Sequence, residues 1–198
     1  MGIFQSQRYY NNIQALKSYK SLTGIINLFL LWALFQSCSD FKQKGQLNKV
    51  ERIQKSISTL QSTLEEGFPD TLSSMRLNMM QTELKIKNNL ILDSVDNSFG
   101  ADMDAYKMAR KSIKSINKQY ITIKKTLLKS KIRVDALYSD ISQGFGKRNA
   151  YEKYIATEQK NTLLIERRID ELLKEVKQVC DQYRLLHPKL MALSNKWQ

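Results

Sequence analysis

Two long series of residues, spaced alternately three and four apart, constrain this chain more than any other feature. The first is Tyr106, Ala109, Ile113, Ile116, Tyr120, Ile123, Leu127, Ser130, Val134, Leu137 and Ile141. After the break Ser142-Gln143-Gly144-Phe145-Gly146 comes the second: Tyr151, Ile155, Glu158, Thr162, Ile165, Ile169, Leu172, Val176, Val179, Tyr183 and Leu186. This spacing keeps one face of a helix apolar, and sustained over about five heptads it reads as a coiled-coil seam. The first seam covers 36 residues, which is about 54 Å of helix. A short break predicts that the two helices fold back on each other. Pairing positions whose numbers sum to 292 sets every seam residue opposite another: Ile141 with Tyr151, Leu127 with Ile165, Tyr120 with Leu172, Tyr106 with Leu186. Ser130 then faces Thr162 and Val134 faces Glu158. Two polar layers near the turn should weaken that end and fix the register.

Two shorter helices are expected before this pair. Val50, Ile53, Ile57, Leu60 and Leu64 form an amphipathic stripe over about 46–66. Gly67-Phe68-Pro69-Asp70 breaks it, with Asp70 placed to cap a second helix. That helix, about 70–93, carries a main stripe of Leu77, Met80, Leu84 and Ile91, with Met75, Met79, Ile86 and Leu90 beside it. Asp93 to Asp102 is polar and reads as a turn. The expected fold class is all-α: a long antiparallel coiled-coil hairpin, about 102–143 and 147–187, with the two shorter helices covering its open end as a partial four-helix bundle. The flanking Ile121, Leu128, Leu173 and Cys180 widen the stripe those helices would cover. Pro188 is expected to end or kink the last helix.

The amino-terminal segment has a different composition. Residues 1–37 hold Arg8, Lys17 and Lys20 and no acid, followed by the apolar run Leu22 to Phe35. Fourteen residues are short for a membrane span, which needs about 20, and suit the core of a secretory signal. The run leads into Gln36-Ser37-Cys38-Ser39-Asp40. A cysteine directly after a signal's apolar core resembles the lipobox of bacterial lipoproteins, of the type found in Bacteroidota. Cys38 matches the modified position, Ser37 the small residue before it, and Leu34 and Phe35 the bulky apolar ones; Gln36 departs from the usual small residue. The resemblance implies cleavage before Cys38 and acylation of its thiol and amino group, with palmitate-type chains as a stable anchor. It divides the chain into a signal peptide (1–37), a lipidated cysteine and tether (38–45) and a helical bundle (46–198). It also implies a membrane-anchored protein of a Gram-negative cell envelope. Of 32 basic and 19 acidic residues, the signal removes three basic ones, leaving 29 against 19, net +10.

The basic charge is concentrated. Between Tyr106 and Val134 stand Lys107, Arg110, Lys111, Lys114, Lys118, Lys124, Lys125, Lys129, Lys131 and Arg133, with no acid among them. They form a candidate face for an anionic partner. Glu166, Asp170, Glu171, Glu175 and Asp181 of the last helix are placed to neutralise some of them across the seam. Phe145, Lys147 and Arg148 at the turn form a candidate contact tip, unless Phe145 folds back onto Tyr151. Trp197 near the carboxy terminus suits either a membrane interface or a frayed tail.

Chemistry has little support in the sequence. One histidine and two cysteines exclude most metal sites and a disulfide framework, and there is no phosphate-binding loop. His187 reads as a helix-end residue, Cys180 as a packed small hydrophobe, and the Met75, Met79, Met80 group as core. No cofactor, metal or enzymatic activity is expected. The leading expectation is a structural or adaptor lipoprotein whose partners are the membrane, through Cys38, and an envelope protein or anionic envelope polymer, with homo-oligomerisation possible. The alternative is a periplasmic holdase-type chaperone, similar to Skp only in being small, secreted, basic and rich in helical hairpins. A secretion signal argues against nucleic acid as partner.

Overall fold

The computed structural model describes residues 41–89 and 97–196. These are helical almost throughout, with no strand among them. We number the helices α1 (residues 41–67), α2 (Leu72–Asn89), α3 (Asn97–Gln143) and α4 (Tyr151–Lys196), with a 3-10 turn at Arg148–Ala150. The chain divides into two units, 1–48 and 49–198. Of the first, residues 41–48 are described and helical; the packing below is that of the second. The long helices pack against one another as an all-α bundle. The expected signal peptide, Cys38, Leu90, Ile91 and Trp197 lie outside the described residues.

The seams are the core. Twenty of the twenty-two seam positions are buried; Tyr120 and Tyr183 are half-buried. All five residues of the α1 stripe, Val50, Ile53, Ile57, Leu60 and Leu64, are buried as well. Burying such side chains contributes roughly 1.5–3 kcal/mol each, and this, more than helix propensity, holds the long helices together.

On α2 the expected stripe is corrected. Leu72, Met79, Thr82 and Ile86 face inward, while Leu77, Met80 and Leu84 are exposed. Both rows have helical spacing. The buried one contains a threonine, whose hydroxyl donates to the Asn78 carbonyl and so enters the core with its polar group paired. The Met75, Met79, Met80 group is divided accordingly, with only Met79 in the core.

The placement of the short helices also differs from expectation. Lys49 pairs with Glu152, Tyr138 donates to Glu51, Gln54 donates to Asp135, and Glu65 meets Lys124. On α2, Asn78 meets Tyr183 and Glu83 pairs with Arg110. Thus α1 and α2 follow one another along α3 and α4, α1 on the half nearest the Gly144–Gly146 turn and α2 on the other. They do not sit side by side at one end. The α1–α2 break is seated at mid-length. Gly67 approaches Leu173 so closely that an added Cβ would lie 2.8 Å from its methyls, and Phe68 stacks on Tyr120 at 4.0 Å. Leu173 is therefore a covered flank, whereas Ile121 and Leu128 are more than half exposed.

Three boundaries differ from expectation. Residues 41–45, expected as an unpatterned tether, are already helical. α3 starts at Asn97, inside the expected polar turn, and carries Gly100 on an exposed face. α4 runs through Pro188 to Lys196. The proline forgoes one backbone hydrogen bond, a cost of about 3 kcal/mol, but Leu190 and Ser194 beyond it are both fully buried. The turn after α3 is built as expected for a glycine stop. Gly144 has φ +72°, Phe145 N–H reaches the Asp140 carbonyl at 2.9 Å, and Gly144 N–H reaches that of Ile141 at 3.3 Å, the paired bonds of a Schellman cap.

Candidate functional site

The ten basic residues of α3 do not act as one set. Arg110 is paired with Glu83 of α2 at 2.6 Å, Lys124 with Glu65 of α1 at 3.5 Å, and Arg133 with Glu158 of α4 at 2.8 Å. The partners differ from those expected. Glu175 accepts from Gln119, Asp181 pairs with Arg184 on its own helix, and Glu166, Asp170 and Glu171 form no ion pair with α3 among the described residues. Two of the neutralising glutamates come from α1 and α2, whose register against α3 no sequence pattern specifies. Glu158 lies one position from Arg133 in the 292 register, so that pair had a signal.

Seven lysines remain on α3: Lys107, Lys111, Lys114, Lys118, Lys125, Lys129 and Lys131. All are exposed, and none makes an ion pair among the described residues. At 100° per residue, every one except Lys131 falls within a strip about 60° wide, opposite the seam. Ile121, Leu128 and Ile132 lie along one edge of that strip, 53%, 60% and 60% exposed. Surface depressions of about 350 and 320 Å³ open where α3 meets α4, and Arg168 lines both.

Glu158 forms the polar layer. It is buried, accepts two hydrogen bonds from Arg133 at 2.8 and 3.0 Å, and lies 3.5 Å from the Ser130 hydroxyl. Those bonds raise the Arg133 guanidinium above its ordinary value. Thr162 turns its hydroxyl onto the Glu158 carbonyl of its own helix. No buried side-chain polar atom among the described residues lacks a partner.

At the turn, Phe145 is 62% exposed, and Lys147 and Arg148 are exposed beside it. Tyr151 meets Phe145 through the backbone: its hydroxyl reaches the Phe145 carbonyl and that of Asp140, leaving the Phe145 ring free.

His187 lies in a polar cluster at the opposite end. It stacks on Tyr183 at 4.5 Å, and its Nδ1 meets the Tyr106 hydroxyl. Burial lowers the His187 pKa, and burial, the largest cause, raises that of Tyr106. Both therefore stay neutral near pH 7, and the phenol donates to an unprotonated nitrogen. Asn78, Thr82, Lys85 and Met191 face the same depression; none is an acid that would favour the imidazolium. Because the folded state disfavours protonation, the bundle should lose stability as pH falls below His187's ordinary 6.5. His187→Phe keeps the stacking but removes this titration. Denaturation midpoints at pH 7.5 and 5 should fall further for the wild type than for the variant; equal falls would remove His187 from the pH response.

Burial also raises the Cys180 thiol, consistent with its packing beside the seam. Among the described residues no cluster of histidine, cysteine and carboxylates fits a metal ion, and no helix is long and apolar enough to cross a membrane. Compared with protein-family models, curated proteins and solved structures, the chain matches none.

Proposed function

We propose that the chain is a cell-envelope lipoprotein without catalytic activity, a membrane-anchored structural or adaptor element built on an antiparallel coiled-coil hairpin of α3 and α4. The hairpin is supported by cross-helix pairs along its length. Asp102–Lys189, Tyr106–His187, Gln119–Glu175, Ser130–Glu158, Arg133–Glu158 and Asp140–Tyr151 all sum to between 288 and 294. The observation that carries the anchoring is the apolar run Leu22 to Phe35, ending at Ser37-Cys38 behind three basic residues. Acyl chains on Cys38 would hold one end of the protein at a bilayer. The bundle offers the charged outer faces of its long helices to envelope partners.

Mass spectrometry of the amino terminus after membrane fractionation tests the anchoring. The wild-type chain should begin at Cys38 and carry acyl mass. Cys38→Ser should carry none and keep residues 1–37. An intact Met1 with an unmodified thiol in the wild type would overturn the reading.

A further inference from the structure

We infer that the outer face of α3 is a docking surface for an anionic phospholipid bilayer, and that the bundle lies along the membrane on this face. The inference deepens the proposed anchoring by naming the chemistry of a second membrane contact, and it rests on that reading for the presence of a bilayer. It has its own physical basis in how the fold distributes charge.

The cations of α3 separate by position. Those at the edges of its exposed surface, Arg110, Lys124 and Arg133, are taken up by Glu83, Glu65 and Glu158. Glu175, on the α4 side, is occupied by Gln119. Glu83, Glu65, Glu158 and Glu175 are thereby engaged, and Glu171, which lines one depression with Lys118, makes no ion pair with it among the described residues; the central row of Lys107, Lys111, Lys114, Lys118, Lys125 and Lys129 keeps its charge. From Lys107 to Lys129 the row covers 23 residues, about 33 Å of straight helix from first Cα to last. Six like charges in a line repel one another, and no acid among the described residues pairs with them. An anionic surface would relieve the repulsion, each lysine near such a surface contributing about 1 kcal/mol.

The occupant is chosen by the apolar residues. Ile121, Leu128 and Ile132 belong to the same exposed side of the helix, each more than half open to solvent. A soluble polyanion has nothing apolar to offer them. A bilayer offers headgroup phosphates to the lysines and the upper acyl region to the isoleucines and leucine, as for helices that lie in the interface plane. Lysine's long stem lets the ammonium reach the phosphates while its methylenes cover apolar surface.

The test is lysine footprinting on the full chain mixed with vesicles of phosphatidylcholine alone, or of phosphatidylcholine with phosphatidylglycerol. An amine-reactive ester is added and each lysine is read by mass spectrometry. Phosphatidylglycerol should lower the reactivity of the six row lysines severalfold, while the exposed Lys174 and Lys177 of α4 are unchanged. High salt should restore the row. The triple variant Lys114→Glu, Lys118→Glu, Lys125→Glu should bind these vesicles roughly 100-fold more weakly, from three contacts of that size, with helix content unaltered. Ile121→Ser, Leu128→Ser, Ile132→Ser should weaken vesicle binding and leave binding of inorganic polyphosphate unchanged. Equal protection of all lysines, or protection by polyphosphate with none by vesicles, would overturn the inference. Because the vesicles are supplied, the footprint reads the face whether or not Cys38 is acylated. The mass of the amino terminus separately decides the anchoring.

Discussion

Leu172→Ala should destabilise the bundle by about 2–5 kcal/mol, whereas Leu185→Ala, the same chemical change thirteen residues along the same helix, should stay within about 0.5 kcal/mol. Leu172 is fully buried and Leu185 is 74% exposed. Leu172 is next to Leu173, on which Gly67 closes beside the Phe68–Tyr120 stack. These contacts hold the end of α1 against α3 and α4, and a rigid glycine approach leaves little room to collapse into the space of three lost carbons. The loss should therefore fall in the upper part of the range. For a chain of this size, each kcal/mol moves Tm by roughly 2–4 °C. Urea denaturation followed by helix signal measures both variants; the slope should be unchanged if unfolding remains two-state. Equal midpoints for the two variants would mean that the burial pattern along α4 is wrong.

The contrast between Leu172 and Leu185 is legible in the sequence, because the 3–4 spacing selects one and omits the other. Periodicity identifies an inward face when one row is apolar and the opposite row is charged, as on α3 and α4. It fails on α2, where two rows are apolar. There the row with a polar member, Thr82, is the buried one. The threonine conceals the answer because its hydroxyl is satisfied by its own helix, a pairing that composition does not display. Pro188 and Gly100 mislead for a related reason. Each carries a local cost of roughly 1–3 kcal/mol. At Pro188, tertiary burial further along, at Leu190 and Ser194, outweighs it. The placement of α1 beside the turn depends on contacts such as Lys49–Glu152, more than a hundred residues apart, and no local pattern encodes that.

The candidate surface is legible in part. The ten cations of α3 can be counted, but their division into paired edges and an uncompensated row needs the positions of Glu65 and Glu83. Those depend on where α1 and α2 lie, and local patterning placed both at the open end. The sequence leaves Phe145 between two positions, exposed or folded onto Tyr151, and its 62% exposure goes with the Schellman cap, which brings its backbone carbonyl to the Tyr151 hydroxyl.

The polar layer should respond in opposite directions to the removal of its two ends. In Arg133→Ala, Glu158 keeps a carboxylate that is only 11% exposed and loses its two short hydrogen bonds, with Ser130 at 3.5 Å a weak substitute. An uncompensated buried charge is costly. Arg133 itself is 48% exposed, so water already screens the pair. The expected loss is therefore about 1–3 kcal/mol, below the full value for a dry ion pair. In Glu158→Leu the carboxylate is gone, a leucine fills the seam against Val134 and Ile155, and Arg133 swings into solvent. That variant should be as stable as the wild type or more so, by up to about 2 kcal/mol. Adding Arg133→Ala to Glu158→Leu should then cost almost nothing, and the cycle of four chains isolates the coupling. The layer would thus trade stability for register: a leucine packs in a seam shifted by one heptad nearly as well, whereas Glu158 meets Arg133 in only one alignment. Urea midpoints for the four chains decide the matter. If Glu158→Leu is the more damaging single change, the carboxylate stabilises the seam outright and the register argument falls.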